Sequence, residues 1–327
     1  MNILYLHIGS HKTGSTAIQK ACEQHSAKDT KYINIRVPGK HLIQPRRQGR
    51  HVVCSINMDQ AERLFRPQAG VSTYITSDEC FFWIFDPMAL QELASLLLDR
   101  FDEVRIICYL RRQESLAISH RKQVVLDFPA DWFYGHAPVS LPKFEPHFSL
   151  YFDYAKKLSE IWVPLFGKEF VTLVEYDCSH FPQGNVLADF STRVGVDFSQ
   201  VSLRANVKLP GNHLFLALIL KQAGVPLNER NTILRQLPGN ETPFLPSRAD
   251  AQEFLSHFSS SNAELAKNWT QDGKPFEFSD DLSMYAEMAQ PIWDNDAVVE
   301  IVQATLAMPG DSGSQKSQKS VKRWLLR

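Results

Sequence analysis

NILYLHIGSHKTGSTAIQK, residues Asn2 to Lys20, is the stretch that decides the fold. Ile3, Leu4, Tyr5, Leu6, His7 and Ile8 form a short run rich in apolar, β-branched and aromatic side chains, the composition of a strand covered on both faces in a parallel sheet. Gly9-Ser10-His11-Lys12-Thr13-Gly14-Ser15-Thr16 follows, with two glycines, four hydroxyls and one lysine. Ala17, Ile18, Gln19, Lys20 and Ala21 then read as the first turns of a helix. A strand, a glycine-bearing turn and a helix N-terminus together make an anion cradle. Backbone N–H groups and the positive helix end face the guest, and glycine lets the chain approach it closely. A capped connection between strand and helix, with no ligand, is the other reading of the same residues.

The spacing nearly fits the nucleotide-binding pattern GxxxxGK[ST], because Gly9 and Gly14 are correctly placed, but Ser15 stands where the lysine belongs. The lysine instead precedes the second glycine. His-Lys-Thr-Gly-Ser-Thr at 11 to 16 resembles the 5′-phosphosulfate loop of sulfotransferases that use 3′-phosphoadenosine-5′-phosphosulfate, usually Pro-Lys-Ser-Gly-Thr-Thr, with His11 in place of the proline. The resemblance implies that Lys12 contacts the oxygen bridging sulfate and phosphate, while Thr13, Gly14, Ser15 and Thr16 hold the 5′-phosphate.

Val104 to Leu110 (VRIICYL) is a second buried-strand pattern, running into Arg111-Arg112 and a helix through about Leu126. Arg111 and Ser119, eight residues apart after that strand, resemble the family's 3′-phosphate element, and the planar fork of arginine suits phosphate oxygens. Surface ion pairing of Arg111 and Arg112 is the competing reading. Arg204 and Lys208 are weaker candidates for a third 3′-phosphate contact.

Val71 to Ser77 (VSTYITS) is a β-rich run that delivers Asp78 and Glu79 to a strand's carboxyl end, where ligands of parallel sheets gather. Glu79 is the candidate general base, carbohydrate sulfotransferases of the family often using glutamate. His11 competes because it adjoins Lys12 and imidazole titrates near neutrality. Asp78, His41 and His51 remain open, and Glu79 also reads as a strand-end carboxylate capping the next segment. His7 and His11 straddle a strand and a loop and do not read as a metal pair.

Between these landmarks, Lys31 to Val37 predicts a second strand. Lys40, His41, Arg46, Arg47, Arg50 and His51 predict a basic loop that meets either solvent or an anionic group. Pro87 to Phe101 predicts an amphipathic helix, Tyr151 to Phe166 another, Phe170 to Glu175 a strand and Gly184 to Val194 a helix. The aromatic stretch 128–148 reads as an acceptor lid or a hydrophobic plug. Beyond about Ser199 the chain reads as mostly helical, with Asn212 to Ala223, Ala249 to Phe258, a capped start at Ser261 and a last helix at Ala297 to Ala307.

The expectation is therefore an α/β protein with a P-loop-like parallel sheet flanked by helices and a mostly helical C-terminal part. One domain spans 1–308, with its core at about 1–200, and 309–327 forms a disordered linker and basic tail, frayed or touching a partner or membrane periphery. With 44% hydrophobic residues, 22% charged and a formal net charge of −1, a packed core is expected and a nucleic-acid surface is not. Five scattered cysteines suggest neither a disulfide framework nor a metal site. No signal-like start or membrane-length apolar run occurs, which predicts a cytoplasmic protein; oligomeric state stays open. The function implied by the resemblance is sulfuryl transfer from 3′-phosphoadenosine-5′-phosphosulfate to a carbohydrate or glycolipid hydroxyl, without a metal. A P-loop kinase and a catalytically silent nucleotide-binding protein are the alternatives.

Overall fold

The computed structural model describes residues 1–37, 41–127, 131–135, 137–201, 210–237, 239 and 243–289. Lys40, Arg204, Lys208, the expected helix at 297–307 and the tail lie outside them. Among the described residues, β1 (Ile3–His7), α1 (Ser15–Gln24), β2 (Thr30–Tyr32), β3 (Ile43–Gln48), β4 (His51–Ile56) and α2 (Met58–Leu64) come first. They are followed by β5 (Thr73–Ser77), α3 (Pro87–Arg100), β6 (Glu103–Leu110), α4 (Gln113–Asp127) and β7 (Val171–Glu175).

Five strands form a parallel sheet in the order β2-β5-β1-β6-β7. The protein is thus of the α/β class that the sequence led us to expect. β1 lies between β5 and β6: the chain crosses from β1 to the edge strand β2, returns to β5 beside β1 and then passes over to β6 and β7 on the other side, so the direction of the crossovers reverses there. Such a switch point leaves a crevice at the carboxyl ends of the strands, where open α/β sheets take their ligands. Leu4, Leu6, Ile106 and Leu110 are fully buried, as strands covered on both faces require. On one face Tyr5, Ile75, Ile107, Tyr109 and Val174 pack with Ile18, Ala21 and Cys22 of α1 and with Val186, Leu187 and Phe190 of the helix Val186–Val194.

The described residues of 1–116, 145–201 and 257–279 make one compact unit, which contains this sheet. Those of 117–144, 210–256 and 280–289 make a second. In the second, the helices Gly211–Gln222 and Leu227–Gln236 bury Leu214, Leu218, Ile233 and Leu234 in a core of their own.

Four expectations change. The strand expected at 31–37 pairs only over Thr30–Tyr32. Beyond it the Arg36 N–H turns to Asn34 Oδ1 and the Arg36 side chain to Asp78, which draws the chain out of the ladder. The basic loop is a β-hairpin: β3 and β4 pair antiparallel around Gly49, whose φ of 61° suits glycine. The helix expected at 151–166 is broken after Ser149–Phe152, and resumes as Tyr154–Lys157, a π turn Leu158–Trp162 and Val163–Phe166. Pro164 lacks the N–H that regular helix pairing needs there. The helix start expected at Ser261 comes earlier, in Ser259–Asn268, because the preceding Phe258 already accepts from Asn262 N–H.

Of the aromatic stretch, Phe133, Tyr134 and Phe148 are buried. All five cysteines are free thiols. Among the described residues no helix is long and apolar enough to cross a membrane, and no cluster of acidic, histidine or cysteine side chains is arranged to hold a metal ion.

Candidate functional site

Pairing between β1 and β6 runs past the end of β1: Ile8 N–H donates to the Ile107 carbonyl and Ser10 N–H to that of Tyr109, each at 2.9 Å. The chain therefore leaves the sheet at Ser10 and enters α1 at Ser15. Lys12 takes a left-handed φ of 65°, strained for a side chain other than glycine, and Gly14 follows at 79°. Gly14 occupies the helix N-cap and offers no side-chain cap. Among the described residues, no backbone carbonyl accepts from the N–H groups of Gly14, Ser15 or Thr16, as an anion-binding helix end requires.

The hydroxyls of the loop differ in use. Thr13 is fully buried and its Oγ1 donates to the Ser10 carbonyl at 2.5 Å, so this hydroxyl braces the turn. Ser15 is buried, whereas Thr16 is exposed. A Cβ built on Gly9 would stand 2.9 Å from both His7 Nε2 and Thr13 Oγ1, so glycine there is a matter of space.

Arg111, the first residue after β6, reaches this loop from the other side of the switch point. Its Nη1 donates to the Lys12 carbonyl at 3.2 Å, its Nε to Ser115 Oγ at 2.8 Å, and its guanidinium lies 5.9 Å from the centre of the Tyr176 ring. Among the described residues no carboxylate pairs with it. Arg112 is spent differently: it donates to buried Glu114 at 2.6 Å and to the Ser279 carbonyl. Of two adjacent arginines, one is neutralised and the other keeps its charge at the mouth of the loop. Ser119 lies further along α4, in the second compact unit.

The carboxyl end of β5 brings Asp78 and Glu79. Asp78 caps the 3₁₀ turn Glu79–Trp83, accepting from Cys80 N–H at 2.8 Å. Arg36 grips Asp78 with Nε and Nη2 at 2.8 and 2.7 Å and touches Glu79 Oε2 at 2.8 Å. Gln19 of α1 donates to the same Glu79 oxygen at 3.1 Å. Burial alone would raise the Glu79 carboxyl, but the neighbouring His11 and the Arg36 guanidinium outweigh it and hold the group at about 2.

The His11 ring stacks at a tilt on Trp83, 4.5 Å between centres, and Trp83 continues onto Tyr151 at 4.4 Å. Burial lowers His11 to about 4 against the upward pull of Glu79 and Asp78, so its imidazole is neutral at pH 7. Lys12, His11, Glu79 and Arg111 thus belong to one unit at one end of the sheet. His41 is exposed, and His51 lies on the hairpin, whose strands pack against the turn Glu79–Trp83.

Arg36, Gln19, Trp83 and Tyr176 complete this cluster although their local sequence does not mark them. The one available signal was Arg36 at the end of the run KYINIR, a charge where a strand was expected to finish.

No family model matches the chain. It is 29% identical over 202 residues to an uncharacterized protein of Archaeoglobus fulgidus, a match covering 57% of this chain and 52% of that protein. The match thus spans about half the length of that relative. A crystal structure of a sulfotransferase from Alicyclobacillus acidocaldarius is similar with a TM-score of 0.36 and 16% identity, covering 69% of this chain and 98% of that one.

Proposed function

We propose that this chain transfers a sulfuryl group from 3′-phosphoadenosine-5′-phosphosulfate to a hydroxyl of a carbohydrate or glycolipid acceptor. The observation that carries this reading is Arg111. It has no carboxylate partner among the described residues, and it is joined to the Lys12 carbonyl from 99 residues away in sequence. Two segments that resemble the two phosphate-binding elements of that donor meet at the switch point of the sheet.

The residues fit the donor in kind. The 5′-phosphate suits the N–H groups of Gly14, Ser15 and Thr16 and the positive end of α1, with Thr13 bracing the turn. The 3′-phosphate suits the guanidinium of Arg111. Lys12 is assigned to the bridging oxygen, where negative charge grows as the bond between sulfur and that oxygen breaks. A new bond forms between sulfur and the acceptor oxygen, whose proton must leave. Of the two nearby bases, His11 is a neutral imidazole at pH 7, whereas the Glu79 carboxylate is already engaged by Arg36 and Gln19. We assign the proton to His11 and to Glu79 the stabilisation of the cation that forms on it.

The reading is tested by calorimetric titration with 3′,5′-bisphosphoadenosine against ATP with and without magnesium. Tight, metal-independent binding of the bisphosphate supports it. Preference for magnesium with ATP replaces it by phosphotransfer, and bisphosphate binding without transfer to any acceptor leaves a silent nucleotide-binding protein. Arg111→Ala should weaken the bisphosphate far more than adenosine 5′-phosphate, which lacks the 3′ group.

A further inference from the structure

His7 is the last residue of β1, fully buried, with its ring edge against Tyr109 and Phe190. Its Nδ1 lies 2.7 Å from Ser77 Oγ, and this imidazole nitrogen is the partner of that hydroxyl among the described residues. Ser77 is itself fully buried, so its hydroxyl proton needs an acceptor, and Nδ1 is the one at hand. A nitrogen that accepts carries no proton. The imidazole proton is then on Nε2, which makes His7 a buried N–H donor. Burial pushes His7 down to about 4 despite Glu79 nearby, so the ring is neutral at pH 7 and carries one proton only.

Nε2 has no hydrogen-bond partner among the described residues. It is aimed at the anion-binding turn: a Cβ on Gly9 would fall 2.9 Å from it, 2.9 Å from Thr13 Oγ1 and 3.2 Å from the Tyr109 carbonyl. That carbonyl already accepts from Ser10 N–H and Ser10 Oγ, which takes up its lone pairs. An orphaned buried N–H is costly, and a charged oxygen is the acceptor that best removes the cost.

We propose that His7 is a ligand-binding residue of the loop, donating its Nε2–H to an oxygen of a bound phosphate or sulfate group beside Gly9. Thr13 Oγ1, on the same spot, turns its hydroxyl from the Ser10 carbonyl to that oxygen when the anion arrives. The proposal deepens the phosphate site assigned above and rests on the loop being an anion site, though not on the anion being a nucleotide. It also ties ligand arrival to the end of β5, since Ser77 directly precedes Asp78 and Glu79.

Histidine ¹⁵N NMR of the full chain tests it, with the His7 signals identified by their loss in His7→Gln. The expected spectrum shows His7 as the neutral Nε2–H form at pH 7. Its imino proton should move most among the histidines as sodium sulfate, inorganic phosphate or 3′,5′-bisphosphoadenosine saturates the Gly9 and Gly14 amide shifts. An Nδ1–H form, or saturated loop amides with an unmoved His7, overturns the proposal while leaving the function above intact. Movement with sulfate or phosphate but not with the bisphosphate supports His7 and removes the nucleotide donor. No anion moving the loop amides overturns both. His7→Asn, which retains a partner for Ser77 but does not reach Gly9, should weaken anion binding about tenfold, the loss of one hydrogen bond to a charged acceptor. His7→Gln, whose amide reaches further, should restore most of it; equal affinity of His7→Asn and the native chain also overturns the proposal.

Discussion

At the scale of single residues, charge and burial decide what each group does. On the function proposed above, Lys12→Ala removes a cation that acts mainly as the bond to sulfur breaks, and should lower turnover by about 10²- to 10³-fold. Circular dichroism should remain native, and unimpaired transfer by that variant would remove the role. His7 and Glu79 shape the acid limb of stability in adjoining windows. The unfolded chain takes a proton on His7 as pH falls through 6.5, whereas the folded chain refuses it until about 4. His7 should therefore take away on the order of 3 kcal/mol of stability between those values, with a like share from His11, and a His7→Gln chain should lose only its own share of that slope in urea titrations. Glu79 follows at lower pH: its carboxylate is stabilised by folding above its ordinary value of 4.5, and that contribution disappears as pH drops toward about 2.

At the scale of elements, the turn into α1 is held by a backbone shape that L side chains resist. Gly14→Ala would put a methyl 3.0 Å from Val186 Cγ1 in a left-handed conformation, and should cost about 1–2 kcal/mol, seen as a fall in melting temperature of a few degrees. Elements of this kind were legible because their signals are local. β1 and β6 carry continuous apolar runs, β5 is rich in β-branched and aromatic residues, α3 opens with Pro87 after Asp86, and the glycines of the loop mark its ends. The hairpin was hidden because Arg46, Arg47 and Pro45 on β3 look like loop, although Val52 and Val53 carried a β signal. Arg36 was hidden for a different reason: its meaning comes from carboxylates 42 residues away, and no period in the sequence reports such a partner.

At the scale of the sheet-bearing unit, Arg36 fastens the segment after β2 to the end of β5. Arg36→Ala would leave Asp78 and Glu79, both largely buried, without their shared cation. We expect a loss of about 1–3 kcal/mol in urea unfolding, less than for a fully buried pair because the Arg36 side chain is 37% exposed. Arg36→Lys keeps the charge but not the fork, and should recover only part of it. If both variants match the native chain, the clamp is decorative. A metal-independent site predicts further that EDTA leaves bisphosphate affinity unchanged.

On the function proposed above, the bond from Arg111 to the carbonyl of strained Lys12 makes one side chain both reader and scaffold. Any ligand that draws the guanidinium away also loosens the loop that holds the ligand's other end, so the two halves of the site are in negative feedback. Losses measured for Arg111→Ala will then mix recognition with loop slack. A double-mutant cycle with Lys12→Gly separates them, because glycine accepts the left-handed shape unaided and leaves only the recognition part to be lost.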